Sequence, residues 1–442
     1  MMVRVQKQLS TSQIIILGFA AVILLGSLLL MLPVSAADGQ ITPFGDALFT
    51  ATSAVCVTGL IVRDTATYWS TFGQAVILML IQIGGMGVVT VAVAIFSAAG
   101  NKISLKQRST MQEAISAPQV GGIVRLTGFI IRMTVIFELL GAAVMAPVFC
   151  GEFGIVKGLW YSVFHSISAF CNAGFDLMGV REPYSSLTYF SAHPIINLAV
   201  MALIVIGGIG FLVWDDVRIN RLHFRKYKMQ SKVVLTVSGL LILFPALYFF
   251  FFEFGQAPLG ERIWNSLFQS VTTRTAGFNT ADLTALSETG MAIMVILFLV
   301  GGSPGSTAGG MKTTTLAVLF STAVSVFRRK EHTHFFGRRL EEETVRNAAT
   351  ILTMYLTLFL GGGFIISRVE GLPLLTCLFE TASAVGTVGL TLGVTPQLGL
   401  LSRSILIVLM YLGRVGGLTL IFAAISRQDN AARLPQEKLT VG

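Results

Sequence analysis

Charge is scarce in this sequence. Asp, Glu, Lys and Arg make up 12% of its 442 residues and apolar side chains 54%, whereas a soluble globular chain averages about 25% charged residues. So few charges cannot dress a soluble domain. Cysteine is scarce as well: Cys56, Cys150, Cys171 and Cys377 show no C-x-x-C spacing, and the five histidines form no H-E-x-x-H pair, which argues against a zinc site or a disulfide framework. No nucleophile stands beside an evident base, so an intramembrane enzyme is remote. The net charge of +9 need not mean nucleic acid, because Lys and Arg gather in the cytoplasmic loops of membrane proteins. No nucleic-acid partner is expected.

Long apolar runs fill the chain instead, at 12–34, 75–99, 123–149, 194–214, 233–254, 290–300 with 316–327, 349–367 and 400–425. A helix needs roughly 20 such residues to cross a hydrocarbon core, so the pattern predicts eight spans and an all-α integral membrane fold. Arg4 and Lys7 before the first run, and Val34-Ser35-Ala36-Ala37 after it, mimic a secretory signal. Its apolar core exceeds the roughly 7 to 15 residues of a signal, and it reads as a retained first helix. With the N-terminus in the cytoplasm, loops on that side hold twenty Lys or Arg and the opposite loops seven, Arg274 among them. The imbalance predicts a multi-pass protein with both termini cytoplasmic.

One unit recurs four times. Leu48-Phe49-Thr50-Ala51-Thr52-Ser53-Ala54-Val55-Cys56-Val57-Thr58-Gly59-Leu60 matches residues 163–175 and 378–390, and residues 267–278 match with one residue fewer. Between alternate spans, each copy is a short segment that enters a glycine loop without being long enough to cross. The expected division is 1–100, 101–215, 216–330 and 331–427, with a tail at 428–442. Each unit is then a span, a re-entrant helix, a loop ending at Gly59, Gly174, Gly277 or Gly389, and a second span. Four such loops can encircle a path, and a ring of backbone carbonyls can replace a cation's water shell without a fixed charge. A secondary transporter is the rival reading, but such folds usually pair two inverted repeats, and these four run in one direction.

The second spans carry glycine clusters: Gly84-Gly85-Met86-Gly87, Gly207-Gly208-Ile209-Gly210, Gly301-Gly302-Ser303-Pro304-Gly305 and Gly413-Arg414-Val415-Gly416. Small residues let membrane helices approach closely, which is the simplest account of the first two. Residues 301–315, rich in Gly, Ser and Thr with a proline, cannot hold a continuous helix. The break needs water or protein partners, so it is expected to project into the path below the loops. The run to Lys312 is no phosphate loop, since Met311 separates Gly310 from the lysine; Lys312 is expected to snorkel or face a cytoplasmic vestibule. Arg414 at membrane depth should face a cavity or a partner, either that segment or a buried acid such as Glu138.

The repeated S-A-[V/F]-x-x-x-G-[L/F] pattern, the third copy T-T-R-T-A-G-F-N and the run G-G-S-P-G-S-T-A-G-G-M-K-T-T-T together resemble the Trk/Ktr/HKT superfamily of potassium transporters. The resemblance covers nearly the whole chain and is strongest to KtrB-type membrane subunits. It implies four pseudo-symmetric M1-P-M2 units around one pore in the plasma membrane. It also implies a potassium filter built from the backbone of Val57, Thr58 and Gly59, of Asn172, Ala173 and Gly174, of Thr275, Ala276 and Gly277, and of Thr387, Val388 and Gly389. Gly301, Gly302, Gly305, Gly309, Gly310 and Lys312, with Arg414, would form an intramembrane gate. The resemblance further implies a homodimer, a cytosolic RCK ring that binds ATP or ADP, no cofactor in this chain, potassium as substrate and sodium as a regulator. The basic loops at 218–232 and 328–346 read either as topology determinants and lipid contacts or as the docking face for that ring.

Overall fold

The computed structural model describes residues 10–98, 103–115, 119, 121–221, 223–417 and 419. The expected tail at 428–442, and Arg4, Lys7, Lys102, Arg427, Arg433 and Lys438 from the charge comparison, lie outside these residues. Among the described residues the fold is helical, apart from a hairpin of β1 (His334–Phe335) with β2 (Arg338–Arg339).

The first unit contains α1 (Thr11–Leu30), α2 (Phe44–Val55), α3 (Thr71–Met86) and α4 (Val88–Ala98). A short polar helix, α5 (Leu105–Ile115), leads into α6 (Ile123–Phe153), α7 (Ile155–Phe170), α8 (Pro194–Gly208) and α9 (Phe211–Asn220). The third unit is α10 (Met229–Tyr248), α11 (Leu259–Thr272), α12 (Glu288–Leu299) and α13 (Thr313–Phe327). The fourth is α14 (Glu342–Glu370), α15 (Leu374–Val385) and α16 (Leu400–Val415).

Local chemistry sets the helix starts. Ser10 and Gln13 make a reciprocal capping box at α1, which satisfies two donors the first turn would otherwise orphan. Ser70 and Ser287 cap α3 and α12. Pro43, Pro258 and Pro373, which cannot continue a preceding helix, stand immediately before α2, α11 and α15. The first helix of every unit, α1, α6, α10 with its π turn to Glu253, and α14, is long and apolar enough to cross a membrane. Leu24, Leu25 and Leu28 on α1 and Phe244, Phe251 and Phe252 near the end of α10 are exposed, as a surface facing lipid requires.

The units close into a ring. The second helix of each packs on the short helix of the next: α3 on α7, α8 on α11, α12 on α15, and α16 back on α2. Asp46 on α2 locks the seam, accepting from Arg63 Nε at 2.8 Å and from Arg403 Nη1 of the fourth unit at 2.9 Å.

One expectation fails. The runs 75–99, 194–214 and 400–425 are not continuous spans; every second helix breaks at its glycine cluster. Gly87, Gly210 and Gly416 have φ of 86°, 97° and 89°, outside the right-handed helical region and open mainly to glycine. The bend between α8 and α9 is 95°. Close approach is also real. A Cβ on Gly84, Gly207 or Gly413 would lie under 3.0 Å from the carbonyl oxygen of Val55, Phe170 or Val385, the last residue of the short helix in its own unit.

Gly84→Ala and Gly207→Ala should each destabilise the protein by about 1–3 kcal/mol or more, because the obstacle is backbone that cannot rotate aside. Gly128→Ala and Gly361→Ala meet nothing within 4 Å; they should be neutral or stabilising by up to about 1 kcal/mol, since alanine favours helix. Thermal unfolding in detergent measures the contrast.

Candidate functional site

The four loops share one backbone pattern. Positive φ occurs at Val57 and Gly59 (50° and 96°), Asn172 and Gly174 (57° and 69°), Thr275 and Gly277 (63° and 79°), and Thr387 and Gly389 (52° and 91°). Left-handed backbone is rare outside glycine and costly for β-branched residues. Three such residues in matching places mark strain that the surroundings must hold. Alternating left- and right-handed φ turns successive carbonyls toward one side, which an extended strand cannot do.

The repeated Ser of the S-A pair holds that strain, a role the sequence reading did not assign. Ser53 Oγ accepts Gly59 N–H and Ser383 Oγ accepts Gly389 N–H, each at 3.0 Å. Ser168 Oγ donates to Phe175 O at 2.7 Å and Thr272 Oγ1 to Phe278 O at 2.6 Å. Its recurrence in three of the four copies was the available signal. The shorter third loop keeps register by a tighter closure. Ala276 N–H bonds to Thr272 O, four residues back, where Thr58, Ala173 and Val388 reach five residues back to Ser53, Ser168 and Ser383.

The loops form a closed cycle. A methyl group on Gly59 would lie under 3.0 Å from the carbonyl oxygen of Ala173, on Gly174 from that of Ala276, on Gly277 from that of Val388, and on Gly389 from that of Thr58. Each glycine therefore sits against the carbonyl of the next loop in order. The last two residues of each three-residue segment, eight of the twelve, meet here, and the close approach leaves room only for glycine at the last position of each. The short helices α2, α7, α11 and α15 end just before the loops, with no basic side chain in their last turns. Helix C-termini carry partial negative charge, which favours a cation. Arg274, counted above as an outer-loop charge, is buried instead, and its guanidinium turns to Ser238 Oγ on α10 at 3.1 Å.

A cavity of about 310 Å³ lies on one side of the ring, lined by Gly59, Gly174, Gly277 and Gly389. Asp176 is the one carboxylate in its wall. Burial raises that carboxyl to about 7, assisted by the charge of Asp64 and opposed by the Met178 N–H and the Ser186 hydroxyl. A second cavity of about 220 Å³ is lined by Gly305, Gly310, Lys312 and Arg414.

Between the two lies the interrupted segment, which has no helical structure from Val300 to Lys312. Its backbone is satisfied by the neighbouring helix breaks. Gly301 N–H bonds to Met311 O at 2.7 Å, Ser303 N–H to Gly208 O at 2.9 Å, Thr307 N–H to Gly207 O at 3.3 Å and Gly310 N–H to Gly413 O at 3.2 Å, while Gly305 O accepts Phe211 N–H at 2.6 Å. Gly302 O accepts Thr313 N–H, and Gly309 stands so close to Thr387 that a Cβ would collide with its hydroxyl. Lys312 lines the second cavity and turns its ammonium back onto Ala308 O at 2.8 Å. Arg414 donates to Thr307 O, to Gly84 O, and to Gly85 O at 3.2 Å. The alternative of a Glu138 partner is set aside: that carboxylate faces Cys171, and carbonyls freed by the break at Gly87 take the guanidinium.

A ring of re-entrant loops between two cavities, walled by membrane helices, defines a multi-pass membrane transport protein rather than an enzyme. The model of the TrkH family, described as cation transport proteins, matches residues 6–434, and the chain belongs to that family. It is 39% identical to the potassium/sodium uptake protein NtpJ of Enterococcus hirae, over 99% of both chains. Its identity to the Ktr system potassium uptake protein B of Bacillus subtilis is 37%, over 97% of this chain and 96% of that one. The crystal structure of the potassium transporter TrkH from Vibrio parahaemolyticus superposes with a TM-score of 0.75 at 20% identity, covering 95% of this chain and 86% of that one. The fold is therefore four M1-P-M2 units around a central pore.

Asp176 is charged above about pH 7 and neutral below it. Acidification through that range on the side of this cavity should weaken cation capture there, raising the half-saturating concentration for uptake. Asp176→Asn should start at the raised value and lose the pH response. Uptake kinetics with the pH of each side varied in turn from 6 to 8 test both.

Proposed function

We propose that the chain is the pore-forming membrane subunit of a Ktr-type potassium uptake system in the plasma membrane. The observation that carries this reading is the closed cycle in which each loop glycine faces the carbonyl of the next loop. In the proposed filter, carbonyls of Val57, Thr58, Gly59 and their counterparts in the other loops replace the hydration shell of potassium. Residues 301–315 act as an intramembrane gate below it, and Arg414 holds the gate shut while adding a positive barrier to cation passage. The names of the NtpJ and Ktr relatives support potassium as substrate and sodium as a second ion or regulator.

The same reading extends to assembly. Two copies form a homodimer, both termini face the cytoplasm, and a cytosolic RCK ring docks on the basic loops at 218–232 and 328–346. ATP and ADP act through that ring and not on this chain. The Ktr relatives, named as parts of a system, support a partner.

The test is potassium uptake in cells stripped of their own uptake systems, with and without a co-expressed RCK subunit. Uptake should be selective for potassium and respond to the partner. Gly59→Ser should lower potassium-over-sodium preference by about tenfold, or about 1.4 kcal/mol, and unchanged preference would refute the filter assignment. Folded Arg414→Ala should raise basal flux; normal flux would leave Arg414 a packing residue.

A further inference from the structure

The gate segment does more than lie beneath the loops, because one of its side chains is bonded to the second of them. Thr307 is fully buried, and its hydroxyl lies 2.9 Å from Asn172 Oδ1 and 3.1 Å from Phe170 O. Asn172 Nδ2 points to Ile204 O on α8 at 3.4 Å, which leaves Oδ1 facing the gate. Thr307 is also held from the other side, since its own carbonyl accepts Arg414. The segment approaches the fourth loop too, at Gly309 against Thr387, but Thr387 Oγ1 has no hydrogen-bond partner among the described residues. The hydrogen-bonded side-chain tie between gate and loop is thus in the second unit.

The position explains why that tie matters. Asn172 occupies the left-handed place filled by Val57, Thr275 and Thr387 in the other loops, two residues before Gly174. A shift of its side chain acts on strained backbone whose carbonyls face the ring. Withdrawal of the segment would take from Asn172 Oδ1 and Phe170 O the one hydroxyl proton they share, at a net cost of about one hydrogen bond once water from the opened path replaces it.

We propose that Thr307 and Asn172 form a latch joining the gate to the second loop, so that gate position and ion selection belong to one coupled equilibrium. This rests on the pore reading above. Thr307 is a positioning residue: it acts on the ion through Asn172. Releasing the latch opens the gate and frees the second loop, so discrimination between potassium and sodium differs between the resting and activated pore.

The experiment uses the full chain alone in proteoliposomes, reading rubidium influx and its competition by sodium. Thr307→Val keeps the shape and removes the hydroxyl; it should raise resting influx about fivefold to tenfold, the scale of one buried hydrogen bond, and weaken rejection of sodium. Thr307→Ser restores the donor and should match the native protein in both readouts. Asn172→Leu removes the acceptor from the other side, and the double variant should exceed neither single one, as expected of two partners in one interaction. It also supplies the test should Thr307→Val fail to fold. Deleting Gly309 and Gly310 is the control for the gate itself. If that deletion raises influx while Thr307→Val behaves as Thr307→Ser, the gate stands and the latch is overturned. If Thr307→Val raises influx without altering sodium competition, the coupling to selection is overturned. If neither deletion nor substitution changes influx, the gate reading falls with it.

Discussion

In a bilayer, water cannot reach a stray N–H or C=O, and each unsatisfied group costs several kcal/mol. Every departure from continuous helix in this protein must therefore be answered by another. The break at Gly210 frees the carbonyls of Gly207 and Gly208, and these receive Thr307 and Ser303 of the interrupted segment. The break at Gly87 leaves Gly84 and Gly85, which Arg414 takes. The interrupted segment is thus held by the loose ends of three other helices.

The same economy separates a symmetric layer from an asymmetric one. The loops form a fourfold cycle because each unit supplies the same short helix, a hydroxyl bonded to its own loop backbone and the same left-handed pair of residues. Beneath them, among the described residues, only the third unit contributes a long interruption, and only the fourth replaces a cluster glycine with arginine. In the proposed function, selection is shared among four equivalent backbones, whereas gating falls to one element that moves against fixed neighbours. Lys312 folding back on Ala308 O keeps its charge on the segment itself.

Much of this was legible in the chain. The four loops announced themselves by repetition, and the third kept its register despite its missing residue because its left-handed positions, Thr275 and Gly277, stay two apart. The interruption at 301–315 was evident from proline and glycine between apolar runs. The breaks at Gly87, Gly210 and Gly416 were not, because glycine in a membrane helix serves close packing equally well, and here Gly84 and Gly207 do that while their neighbours end the helix. Of the two partners the sequence offered Arg414, the 301–315 segment is met at Thr307 O and Glu138 is not; Gly84 O and Gly85 O were illegible, because backbone carbonyls leave no trace in side-chain chemistry. Thr307 and Asp176 carry roles that depend on which segments meet around the ring, and polarity alone could not single them out, whereas Ser53 could have been found from its recurrence at Ser168 and Ser383.

The central claim is that the carbonyls of Thr58, Ala173, Ala276 and Val388 encircle one path and hold a dehydrated cation on it. Anomalous diffraction from crystals grown in rubidium or thallium addresses it directly. The account predicts an anomalous peak on the axis of the four loops, at the level of these carbonyls, that is lost when sodium replaces the heavier ion. Anomalous density confined to the two cavities, with none between the loops, would contradict it.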